Sequence, residues 1–281
     1  MSVVIAGSVA LDNVKTPQDE QKNLLGGSAS YAALAASVFV KPVHLVGIIG
    51  HDFPPQHLEM LNSHGVDISG LERSSGASFT WTGEYHEDMN NRTTHNVAVN
   101  VLENWSVNLP AAARRAKIAV AANMHPENQM QMLDQCEAAD FIAADTMDLW
   151  INIANERLHD VLKGIDLLVI NDGEAKEFAG TTNLVEAGRR LRDKGPKFVI
   201  VKRGEHGSYL FGDKKEHFFS CSAYPLHSVF DPTGAGDAFA GGFLAGHLRG
   251  DPPELALERG IVAAGHAITA WGAAGLLEAW R

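Results

Sequence analysis

Short apolar runs separated by stretches of helical period limit the folds open to this chain. The runs are Val3–Ile5, Val43–Ile49, Ile118–Ala121, Phe141–Ala144, Leu167–Ile170 and Phe198–Val201. Between the later ones lie helical stretches, 127–137, 151–162 and 184–194. Strand and helix in turn imply right-handed crossovers, and so a mostly parallel sheet with helices on both faces. With 281 residues, 45% of them hydrophobic, the chain is long enough for one large core. A single α/β domain spanning residues 1–281 is expected.

Two segments break the alternation. Residues 13–25 are polar and contain Pro17, which suits an exposed flap. In 77–105 the period shortens to two, with Phe79, Trp81, Gly83 and Tyr85 alternating with Thr80, Thr82 and Glu84. That is the mark of a half-exposed strand. After the turn-rich HEDMNNR a second run follows, Thr93–Leu102, so the segment reads as an inserted β-flap or a plain edge hairpin.

The chemistry is concentrated in Asp231–Gly246, DPTGAGDAFAGGFLAG. An acid and a proline lead through Gly234-Ala235-Gly236 into apolar residues at helical spacing, a loop feeding a helix N-terminus. Small residues there let backbone N–H groups approach an anion, and the unpaired first-turn N–H groups favour a phosphate. Asp237 beside such a site either takes the proton of an attacking hydroxyl or simply caps the helix. Neither a dinucleotide fingerprint nor a GxxxxGK[ST] loop is present, since Phe239 stands where a third glycine would be needed.

DPTGAGDAF, a Gly26-Gly27 pair and Asn171-Asp172-Gly173-Glu174, in that spacing, resemble the PfkB or ribokinase-like carbohydrate kinases over nearly the whole chain. The resemblance implies a ribokinase-like three-layer sandwich with a small β-flap lid and an ATP-dependent transfer of phosphate to an alcohol of a sugar-like molecule. It assigns Asp237 as base and the backbone of Gly234, Ala235 and Gly236 as the anion hole. It places Asp12, Gly26 and Gly27 at the sugar, Asn171, Lys202 and Gly204 at the ATP phosphates, and His266 on the adenine side. Glu174 would act through water on Mg²⁺. Lys202 stands where relatives usually carry Thr. A monovalent cation is left open, as is a homodimer through the flap. A nucleoside kinase, or a regulator that binds nucleotide without catalysis, is the alternative.

Tyr31 departs from the ribokinase and adenosine kinase pattern, which has Asn there. A phenol cannot serve the hydroxyl pair that an amide serves, so the expected acceptor is a sugar or polyol other than free ribose, with a nucleoside second. The alternative is that Tyr31 has turned into the helix core with Leu34, Ala35 and Val38.

A net charge of −11 argues against nucleic acid or anionic membrane as partner. The opening MSVVIAGSVAL reads as a buried strand rather than a secretory leader. Cys136 and Cys221 form no disulfide framework, and a cytoplasmic setting is expected. The 13 histidines fall in no metal-ligand spacing.

Overall fold

The computed structural model describes residues 2–214 and 216–278. In chain order the elements are β1 Val3–Ala6, β2 Ala10–Lys15, β3 Glu20–Gly26, α1 Ser28–Ser37, β4 Val43–Ile49, α2 Pro55–Ser63, β5 Val66–Arg73, β6 Phe79–Tyr85 and β7 Arg92–Ala98. There follow β8 Ile118–Ala121, α3 Pro126–Leu133, β9 Phe141–Asp145, α4 Asp148–Ile153, α5 Asn155–Lys163, β10 Leu167–Asn171, α6 Asp172–Ala179 and α7 Leu184–Arg192. The last group is β11 Phe198–Lys202, β12 Ser208–Phe211, β13 Phe218–Cys221, α8 Ala235–Leu248, α9 Pro253–Ala267 and α10 Ala274–Glu278.

Nine strands form one sheet in the order β13-β12-β11-β10-β9-β8-β1-β4-β5. It is parallel except for β12 and β13, which add antiparallel at one edge. Its two faces are separate cores. Val3 and Ile5 of β1 point to the side covered by α1, α2, α8 and α9, with Leu34, Leu61, Phe243 and Leu257 among their neighbours. Val4 and Ala6 point to the side of α3, α5, α6 and α7, with Met132, Leu158, Phe178 and Leu191. Burial on both faces is why these strands read as unbroken apolar runs. Strand order reverses between β1 and β8, and in open α/β sheets ligands gather beyond the carboxyl ends of the strands near such a point.

A second sheet, β3-β2-β6-β7, is built from the two segments that broke the alternation. β2 and β6 pair in parallel, Asp12 with Trp81 and Lys15 with Glu84, so segments far apart in sequence form one body. The polar 13–25 segment is less exposed than its composition suggests, because Val14 and Leu25 are buried. At the far end of 77–105, Trp105 leaves the small sheet and packs in the main core.

Several helices differ from the expected spans. The 127–137 helix stops at Leu133, where Gln135 turns to bond the backbone of Val107 and Leu109. The 151–162 stretch is two helices, broken at Ala154, whose φ of −134 and ψ of 30 are not helical. The last long helix ends at Ala267 rather than Trp271. No described helix is long and apolar enough to cross a membrane.

Candidate active site

The loop before α8 is pinned by its first acid. Asp231, fully buried, accepts the N–H of Thr233 through Oδ1 and that of Gly272 through Oδ2, both at 2.9 Å. Gly234 is the N-cap of α8 with φ 75 and ψ 0, a left-handed conformation that favours glycine. The Tyr31 ring of α1 lies where a Cβ on Gly234 would be. Beyond it a helix of 14 residues begins, and among the described residues the N–H groups of Gly236 and Asp237 have no backbone acceptor. An anion placed there meets the Gly236 N–H and the helix dipole together.

Asp237 is in the first turn of α8, not at its cap. Lys202, the last residue of β11, brings its Nζ against Gly236. Asp145, at the carboxyl end of β9, meets Asp237, and the two line a cavity of about 10 Å³ with Ala32, Val120 and Ala240. That is room for about one water. Burial pushes both carboxyls up. Lys202 pulls both down, and the charge of Asp237 pushes Asp145 up further. Two carboxyls in contact do not both ionise, so the pair shares one proton.

Across the cleft is the inner face of the small sheet. Asp12 is buried and its carboxyl fills the space beside Gly26. Burial, then Asp231 and Asp237, push it up to about 8. Gly27 takes a φ of 91 because a side chain there would strike the Ser8 backbone. Tyr85, from β6, accepts a hydrogen bond from Thr233 Oγ1 at 3.3 Å, and burial raises its hydroxyl to about 12. Trp81 meets Tyr85 edge to face, ring centroids 6.4 Å apart. Tyr31 is buried, as the core alternative required, yet it also borders the site. Its hydroxyl has no partner among the described residues, and burial, Asp231 and Asp12 raise it well above a normal phenol.

Asn171 and Glu174 cap each other at the start of α6, the Glu174 N–H to Asn171 Oδ1 at 2.8 Å and the Asn171 N–H to Glu174 Oε2 at 3.0 Å. This capping box satisfies the helix end and holds one Glu174 oxygen, leaving Oε1 for another task. Burial raises Glu174 and Lys202 lowers it. Gly204 begins a short 3₁₀ turn after β11. His266 is exposed in the last turn of α9, where its carbonyl accepts from Thr269, and no described contact joins it to the other site residues. Among the described residues no three acid, His or Cys side chains converge as a metal cage. Mg²⁺ held mainly by water and phosphate, with Glu174 outside its first ligands, fits that arrangement.

A PfkB-family carbohydrate kinase profile matches residues 4–280. The chain belongs to the PfkB family. It is a phosphotransferase with an alcohol acceptor, of a family that uses ATP on sugars and nucleosides. A cytidine kinase from Thermococcus kodakarensis is 29% identical over 276 residues, 97% of this chain and 98% of the relative. A nucleoside kinase from Burkholderia thailandensis, solved with inosine, superposes with a TM-score of 0.82 at 21% identity, covering 99% of this chain and 96% of the other. An E. coli protein assigned to the ribokinases, solved with ATP and Mg²⁺, gives 0.84 at 21%, covering 99% and 97%. These likenesses establish the ribokinase-like fold of this PfkB protein.

Sequence reasoning missed Asp145 and the anchoring role of Asp231. Asp145 at the carboxyl end of a buried parallel strand carried a signal, since that is where ligands collect.

Proposed function

We propose that this protein transfers the γ-phosphoryl group of ATP to a hydroxyl of a nucleoside. The carrying observation is the inner face of the small sheet, where Asp12 is the direct β2–β6 partner of Trp81, and Tyr85 stands four residues farther along β6. A buried carboxyl that hydrogen-bonds sugar hydroxyls beside an aromatic edge suits a sugar bearing a flat ring. The names of the cytidine and inosine-binding relatives lean the same way. A free sugar is the second reading, favoured by Asp12 itself, whose carboxyl recognises hydroxyls without needing a base.

The acceptor hydroxyl lies against Asp237, which takes its proton as the oxygen attacks. Asp145, beside Asp237 in the same small cavity, would hold the shared proton of the pair and orient the base. The Gly236 and Asp237 N–H groups hold the moving phosphoryl, with Lys202 adding charge from the fixed sheet. Glu174 would hold Mg²⁺ through water, and the ion would neutralise charge on the phosphates. The small sheet acts as a lid that excludes water, and the exposed edge strand β7 is where a second copy would pair.

ADP release with Mg²⁺-ATP across cytidine, inosine, adenosine, ribose and hexoses tests the reading. Cytidine or a purine nucleoside is expected to give the highest kcat/KM. Ribose or a hexose exceeding every nucleoside would overturn it, and no release with any acceptor would favour a non-catalytic nucleotide binder.

A further inference from the structure

We propose that Gln129 is a positioning residue for the base, its buried amide fixing the end of β9 and with it the placing of Asp145 against Asp237. This rests on the kinase reading above. Three observations carry it.

The first is where the main sheet parts. β8 pairs with β9 only as far as Ala121 and Ala144. Asp145, one residue farther, keeps a ladder partner on one side alone, Val169 of β10. The strands therefore separate at the residue whose carboxyl shares a small cavity with Asp237.

The second is what fills the gap. Gln129, in α3 and 1% exposed, donates from Nε2 to the carbonyl of Asp145 at 2.9 Å and to those of Ala121 and Ala122 at 3.1 and 3.4 Å. Carbonyls only accept, so Nε2 is the end of the amide that must face them. One side chain thus gathers the carboxyl ends of β8 and β9. It reaches them from the α3 face of the sheet, whereas Asp237 lies on the α8 face, so Gln129 acts through Asp145 and not on the substrate. The turns beyond are tied as well, since Asn123 donates to Met147 Sδ at 3.2 Å and accepts the Trp150 indole N–H at 2.9 Å.

The third is what the amide costs. Its Oε1 is buried with no partner among the described residues. A buried acceptor left unpaired is unfavourable, and a methionine of similar length would fill the space without it, as Met132 does in the same helix. Stability alone does not call for Gln129. A closely fixed strand end does, because a proton shared between two carboxyls depends on their separation, and misplacing a reacting group by about 1 Å costs roughly 10²-fold in rate.

The test compares Gln129→Met and Gln129→Glu with the unmodified chain, with Asn128→Ala as control. Asn128 is the neighbouring buried amide of α3 and donates to the Trp105 carbonyl at 2.7 Å, away from the strand ends. Gln129→Met should lower kcat about tenfold, with KM for ATP and acceptor within about threefold. The acid limb of kcat/KM should move up by about half a pH unit or more, because a looser Asp145 gives the Asp237 carboxylate less support. The charged groups that bear on the pair, Lys202, Glu174 and Arg92, stay in place. Gln129→Glu, kept neutral by burial among carbonyls, still has an O–H to donate and should recover part of the loss. Asn128→Ala should lower the unfolding midpoint and leave kcat and the acid limb unchanged. A second arm needs no turnover: in a crystal structure of Gln129→Met the Asp145 and Asp237 carboxyls should stand farther apart. Retention of kcat within twofold, an unshifted acid limb, a loss confined to KM, or the same kinetic loss in Asn128→Ala would overturn the proposal. If the unmodified chain turned over no acceptor, the kinase reading would fall, and an unmoved Asp145 in the variant structure would separately reject Gln129.

Discussion

β1 and β4 are buried along their whole length, whereas β7 of the small sheet is exposed at six of its seven residues. The main sheet draws its stability from two dry cores and presents its chemistry only at strand ends. The small sheet has one working face, which carries Asp12, Trp81 and Tyr85 toward the α8 loop. Damage to the first should therefore be read as lost stability, and damage to the second as lost turnover.

The largest effect expected is at the junction of the two. Asp237→Asn keeps the shape but takes no proton, and kcat should fall roughly 10²- to 10⁴-fold with little change in ATP affinity. Near-normal turnover would remove Asp237 as the base. The contrast itself is tested by a pair. Ile5→Ala in the main core should cost about 2–5 kcal/mol in urea unfolding and leave kcat/KM of the folded fraction within about twofold. Trp81→Ala should do the reverse, lowering kcat/KM for nucleosides about tenfold with a change of under about 1 kcal/mol. Equal stability losses would mean that the small sheet is as much a core as the large one.

A third test uses pH. Asp12 has a folded value of about 8, above the usual carboxylate value of 3.8. The folded state thus holds a proton that the unfolded chain gives up, so stability is greatest below about 3.8 and is lost as pH rises toward 8. Unfolding midpoints of the unliganded protein should fall between pH 5 and pH 8, and Asp12→Asn should flatten part of that fall while weakening the acceptor. A flat profile in the unmodified protein would contradict the buried, proton-bearing Asp12. The smallest effect concerns Tyr31. Tyr31→Phe removes a buried hydroxyl with no partner, so stability should hold or rise slightly. The acceptor KM should rise by up to about tenfold if the hydroxyl serves the substrate, and an unchanged KM would restrict Tyr31 to packing under Gly234.

The parallel strands were legible because burial on both faces writes itself as continuous apolar sequence. β5 was not, since Val66–Arg73 carries Asp67 and Ser69 and ends on charges, as an edge strand tolerates. The same logic separates the site residues. Gly234 to Asp237 lie together in one loop and could be read locally, and Asn171 and Glu174 declared themselves by their spacing. The contact of Asp145 with Asp237 joins β9 to α8 across 92 residues, and only the fold brings the two together.

Ser78, at the entry to β6, is fully buried. Its hydroxyl donates to Asp52 at 2.7 Å and accepts the Gly50 N–H at 3.0 Å, and its carbonyl accepts from Asn100 at 2.8 Å. The chain also passes between the sheets at residues 7–9, at Gly27 and at Val99. A body tied to its support at several points along one border behaves as a door on a long hinge rather than a flag on a pole. It can swing about that border, but twisting or sliding would break buried polar bonds. Tyr85, against Thr233, and Asn90, whose Oδ1 stands 2.8 Å from where a Cβ on Gly204 would be, belong to that one body, so a swing about the border would carry both together.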